Sequence, residues 1–96
     1  MTNLTIVASI IVKQGQRDFV KSEMIKLIDP TLVEAGCVEY RLHQNNNNSE
    51  HFLFYECWQS REAWQKHREN THMSEYRAVV EGAIESFDVS EMTELN

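Results

Sequence analysis

Apolar positions along this chain first crowd together, then space out at helical intervals, then alternate, and the sequence of these patterns predicts the order of its elements. From Leu4 to Lys13 β-branched residues dominate (Thr5, Ile6, Val7, Ile10, Ile11, Val12) and both parities are apolar, which predicts a strand covered on both faces. Lys13-Gln14-Gly15-Gln16 turns the chain. From Arg17 to Ala35 the pattern becomes helical, with Val20, Met24, Leu27, Ile28 and Leu32 at three- and four-residue steps and charges between them. Pro30 predicts a kink at Asp29, and Gly36 suits the left-handed position that ends a helix. Val38 to Gln44 alternates, with Val38, Tyr40 and Leu42 on one face and Glu39, Arg41 and His43 on the other.

The run Asn45-Asn46-Asn47-Asn48 reads as a turn, because Asn tolerates positive φ, and Phe52 to Trp58 then forms a hairpin with the strand before it. Ser60 is an expected N-cap with Glu62 early in the helix that follows, where Ala63, Trp64 and His67 share a side. Asn70-Thr71 predicts a break. Met73, Tyr76, Val80 and Ile84 resume helical spacing to about Glu85, and Phe87 to Thr93 is a weaker last strand.

The order βαββαβ is that of an α+β, ferredoxin-like domain over residues 1–96: an antiparallel four-stranded sheet with the helical segments on one face. The chain has no spare element for the other sheet face. A second copy packed sheet to sheet is the expected cover, which makes the protein a homodimer.

Composition narrows the partners. Nine basic against fifteen acidic residues give a net charge of −6 with no Lys/Arg run, so nucleic acid is a poor partner. The apolar run Ile6–Val12 is too short to span a bilayer, and no charged-then-apolar leader precedes it; a cytoplasmic protein away from membranes is expected. Cys37 and Cys57 are too few for a disulfide-stapled fold and are expected as two buried thiols, close across the hairpin.

Four histidines (His43, His51, His67, His72) are the chemical feature of the sequence. His67 and His72 are five apart, whereas one uninterrupted helical face brings together positions three or four apart, so no metal site is expected. Glu56 shares a strand face with Phe52, Phe54 and Trp58. It is expected as a paired or hydrogen-bonded group at the subunit interface, with Arg41 on the neighbouring strand as a candidate partner; buried without one, its pKa would rise. Trp64 and the Met73/Tyr76 stripe read as core or as ligand cage.

The stretches Phe54-Tyr55-Glu56-Cys57-Trp58-Gln59-Ser60 and His67-Arg68-Glu69-Asn70-Thr71-His72-Met73-Ser74-Glu75-Tyr76 resemble the antibiotic-biosynthesis monooxygenase family. The first strand running into Lys13-Gln14-Gly15-Gln16 fits the same pattern, as does Glu34-Ala35-Gly36-Cys37 leading to Tyr40 and His43-Gln44. The resemblance implies a dimeric α+β barrel with a pocket between sheet and helices, and oxidation of a quinol or similar aromatic compound with neither metal nor flavin. In such chemistry a base deprotonates the substrate so that the anion can give an electron to dioxygen, and imidazole suits that step.

On this reading His67 and His72 handle the proton. Ser9, His43, Phe54, Trp58, Trp64 and Tyr76 contact the substrate, and no cofactor is needed. The haem-degrading members of the family carry an Asn in the first strand and a Trp in the second helix, where this chain has Ser9 and His67; that branch is disfavoured. The alternatives are an isomerase acting on a small phosphorylated carbonyl compound, with Arg61, Lys66, Arg68 and Arg77 as phosphate partners, and a non-catalytic module that binds an aromatic or carbonyl ligand.

Overall fold

The computed structural model describes residues 3–96. The elements are β1 (Leu4–Val12), α1 (Arg17–Ile25), α2 (Ile28–Leu32), β2 (Cys37–Asn45), β3 (Asn48–Trp58), α3 (Arg61–Glu69), α4 (Thr71–Val79) and β4 (Ile84–Met92). The sheet order is β2-β3-β1-β4, antiparallel throughout, which is the ferredoxin-like α+β arrangement with each predicted helical segment divided in two.

The first helical segment divides earlier than expected. The break falls at Lys26–Leu27, and Pro30 is the third residue of α2, where its missing N–H has no intrahelical acceptor to lose. The hairpin turn also differs in mechanism, since no non-glycine residue among those described has positive φ. Side chains shape the turn instead: Asn45 Oδ1 accepts from the Asn47 N–H at 2.8 Å and Asn48 Oδ1 from the Glu50 N–H at 3.2 Å. β3 consequently starts at Asn48, four residues before the expected Phe52.

The core lies between the sheet and the helices. Ile6, Ala8, Ile10 and Val12 point there from β1, and Phe52, Phe54, Glu56 and Trp58 from β3. Val20, Met24 and Leu27 close over them. A side chain such as the fully buried Phe52 contributes about 2–3 kcal/mol by leaving water. β4 receives no comparable cover. Phe87 and Val89, opposite Ile10 and Ala8 and therefore on the helix side, stay exposed.

The other sheet face presents Val7, Ser9 and Ile11 beside Leu53 and Tyr55, partly buried and with no helix over them. Cys37 opposes Trp58 whereas Glu39 opposes Cys57, the offset marking a bulge. Cys37 therefore packs towards the core and Cys57 faces the other way; both are free thiols, on opposite faces rather than side by side.

Two local devices place the second half of the fold. Ser60 caps α3 as its sequence implies, its Oγ accepting from the Ala63 N–H at 3.1 Å. Gly36 has φ +86°, and a Cβ there would lie 2.5 Å from Ala63 Cβ, so the turn before β2 and the start of α3 meet through a hydrogen atom alone.

Candidate active site

A cavity of about 430 Å³ opens between the sheet and the α3–α4 pair, inside the size range of small-molecule sites. Ile6, Ala8, Ile10 and Phe54 line its sheet side, Trp64, His67 and Tyr76 its helix side, and Phe87 and Val89 its open edge. At its inner end lies a compact polar group within the aromatic core.

His67 is its centre. It occupies the last turn of α3, one turn from Trp64 on the buried face, and is only 3% exposed. Its ring is clamped by Trp58, with centroids 4.7 Å apart, and by the edge of Tyr40 at 5.4 Å. Nδ1 lies 2.8 Å from Glu34 Oε2. An ionised carboxylate only accepts, so Nδ1 carries the proton and a neutral His67 keeps its lone pair on Nε2. Nε2 faces Glu56 Oε1 at 3.9 Å, beyond hydrogen-bond distance, and both residues line the cavity.

Glu34 was not singled out by the chemistry of the sequence. It lies in the turn after α2, held at both ends by the backbone: its N–H donates to Thr31 O at 3.0 Å and its carbonyl accepts from the Cys37 N–H at 3.2 Å. The same Oε2 stands 3.0 Å from His72 Nε2, which is also 3.1 Å from Thr31 Oγ1. The usable signal was the Glu34-Ala35-Gly36 turn itself, a carboxylate fixed next to a left-handed glycine.

Asn70 brings the two histidines together. It ends α3 and caps α4 with φ −68° and ψ 152°, its Oδ1 accepting from the Thr71 N–H at 2.8 Å. The chain changes direction there, and the ring centroids of His67 and His72 come within 6.1 Å. The spacing objection to joint ligation assumes one continuous helix and fails here. The ligating atoms of Glu34, His67 and His72 lie within 4.8 Å of one another, a donor set that suits a small divalent cation once both rings release the protons shared with Glu34.

Burial and charge set the proton affinities. Burial holds the His67 pKa below its ordinary value; the hydrogen bond to Glu34 and its charge oppose that, while His72 and Arg77 add to it. Burial pushes Glu56 up to about 7, and the Trp58 Nε1–H, donating to Glu56 Oε1 at 2.9 Å, restrains the rise. The Tyr76 phenol is raised to about 12, and Tyr40 is raised further, both through burial. Both phenols stay protonated at neutral pH, able to donate hydrogen bonds.

Several sequence expectations change. Glu56 is inside, under the helices, and not on the open sheet face where a partner would pack. Arg41 is not its partner: it opposes Tyr55 on the other face and pairs with Glu39 at 3.2 Å. Ser9 also lies on that face, 2.8 Å from His51 Nε2, and His43 is exposed there, so neither reaches the cavity. Of the expected substrate contacts, Phe54, Trp64 and Tyr76 line the cavity. Trp58 stands behind it, fully buried against His67. His72 is set back from the lining, on Glu34.

The chain thus combines a ferredoxin-like α+β sheet with an apolar cavity that ends in a carboxylate-held histidine. Residues 3–79 match the family described as antibiotic biosynthesis monooxygenase, and the chain belongs to that family. It is 31% identical over 77 residues to Rv0793 of Mycobacterium tuberculosis, covering 80% of this chain and 75% of that protein. A Synechocystis protein, sll1783, is 32% identical over 60 residues, which are 58% of this chain; the match spans 41% of sll1783's length. Among solved structures, PA3566 from Pseudomonas aeruginosa superposes with a TM-score of 0.96 at 27% identity, over 100% of this chain and 97% of that one. The Rv0793 structure gives 0.91 at 24% identity, over 99% and 97%.

Proposed function

We propose that this protein is a cofactor-independent monooxygenase that oxidises a quinol or similar hydroxylated aromatic compound. The carrying observation is His67: Nδ1–H on a fixed carboxylate, Nε2 free at the end of an aromatic cavity, and Glu56 alongside. A flat ring would lie between Phe54 and Tyr76 with its hydroxyl at Nε2. Glu34 holds the ring orientation and stabilises the imidazolium formed when the hydroxyl proton arrives. The resulting substrate anion gives an electron to dioxygen, which no neutral quinol does readily. His72, with Thr31, fixes Glu34 and acts one step behind the transfer.

The active form on this reading is a homodimer. Support comes from the open sheet face, where Val7, Ile11, Leu53 and Tyr55 have no helical cover. No described helix is long and apolar enough to cross a membrane.

The test is oxygen uptake with chemically reduced naphthoquinones after exhaustive chelation and without flavin. Uptake is expected to persist, and to fall by about two to four orders of magnitude in His67→Ala. Undiminished uptake in a His67→Ala/His72→Ala protein removes the mechanism; turnover that continues without oxygen removes the oxygenase reading in favour of isomerisation.

A further inference from the structure

The chain has five arginines in an excess of acid. Three are paired with carboxylates: Arg17 with Asp18, Arg41 with Glu39 and Arg61 with Glu91. Among the described residues the other two, Arg68 and Arg77, have no carboxylate within 4 Å, and both line the cavity. They come from α3 and α4. Arg68 lies over the Trp64 ring, 4.8 Å from its centroid, and Arg77 Nη2 donates to the Arg68 carbonyl at 3.0 Å. These contacts hold the two side chains in place and leave most of their N–H groups unused, although an arginine fork matches a carboxylate in two parallel hydrogen bonds. Glu69 is the one exposed carboxylate in the lining.

We propose that the ligand is an aromatic acid: a hydroxylated ring in the apolar cavity whose carboxylate is held by Arg68 and Arg77. This rests on the reading of the cavity as an aromatic-ligand site and adds its charge. The surface as a whole repels anions at a net −6, so the guanidinium pair acts as a local exception, effective within about 10 Å at ordinary salt.

The experiment is calorimetric titration of the full chain with 6-hydroxy-2-naphthoate and with its neutral amide, at low and high salt. The acid is expected to bind at least tenfold more tightly, and raising the salt should shrink the ratio. In Arg68→Gln/Arg77→Gln the ratio should fall to about one; Arg77→Gln alone, which leaves the Trp64 stack intact, should remove part of it. An amide that binds as well as the acid, a ratio that survives the double substitution, or no binding of the acid at millimolar concentration would each overturn the proposal. A protein that prefers the acid yet consumes no oxygen with any quinol keeps this inference and loses the oxygenase reading.

Discussion

Replacing Glu56 by Gln tests the electrostatics of the site without touching its shape. The amide keeps an oxygen for the Trp58 Nε1–H and removes a charge from a side chain that is 5% exposed. The native pKa of about 7 stands above the ordinary 4.5, so the folded state holds this proton more tightly than the unfolded one. Between those two values the wild type therefore loses stability as pH rises, by about 1.4 kcal/mol per unit and about 3 kcal/mol in all.

His67 works in the opposite direction. Its pKa is lowered on folding, so its contribution is present at high pH and is lost as pH falls below its ordinary value of 6.5. The two effects partly cancel in the wild-type profile, and only the difference between wild type and variant isolates Glu56. Urea unfolding of both proteins at half-unit steps from pH 5 to 8.5 measures it. Glu56→Gln should gain about 2.5 kcal/mol relative to wild type across that range, with most of the gain complete by pH 7.5. Parallel profiles would show that Glu56 ionises freely in the fold and would remove the reason for placing it beside the proton transfer.

Other perturbations separate positioning from packing. Glu34→Gln should lower kcat/KM by about 10–100-fold with little change in KM, since it weakens the hold on His67 without entering the cavity; an equal rise in KM would assign it to binding instead. Gly36→Ala combines a strained φ with a Cβ 2.5 Å from Ala63 Cβ and should cost about 2–4 kcal/mol in urea unfolding. Gly15→Ala, at φ +86° but with nothing within 4 Å, should cost about 1 kcal/mol, and equal losses would show that the Gly36 contact is soft. Sedimentation equilibrium at micromolar concentration should give twice the chain mass; a monomer would contradict the role assigned to the open sheet face.

Element order was legible because strands and helices differ in hydrophobic period, and the break at Asn70 because the period restarts at Met73. The split at Lys26–Leu27 was hidden, since α1 and α2 keep their apolar residues at nearly continuous helical spacing and Pro30 drew attention downstream. For the site, alternation was the stronger guide wherever it conflicted with resemblance. His43 has the parity of Glu39 and Arg41, and Ser9 that of Val7 and Ile11, which sends both to the open face. Glu34 escaped because a loop residue has no period: only the fold's bringing the turn after α2 beside α3 and α4 puts its carboxylate between two histidines. The unpaired state of Arg68 and Arg77 was equally invisible, being a property of which carboxylates come near in space.

The double role of Asn70 has a consequence for how such a protein can diverge. One residue ends a helix and begins the next, so the relation of His67 to His72 depends on a count rather than on a packed surface. Adding or removing a residue at that joint shifts the register of α4 against α3 and so exchanges the side chain that meets Glu34. The set of side chains gathered on Glu34 can therefore be rewritten by small insertions and deletions at one junction, independently of the substitutions that would have to repack the core.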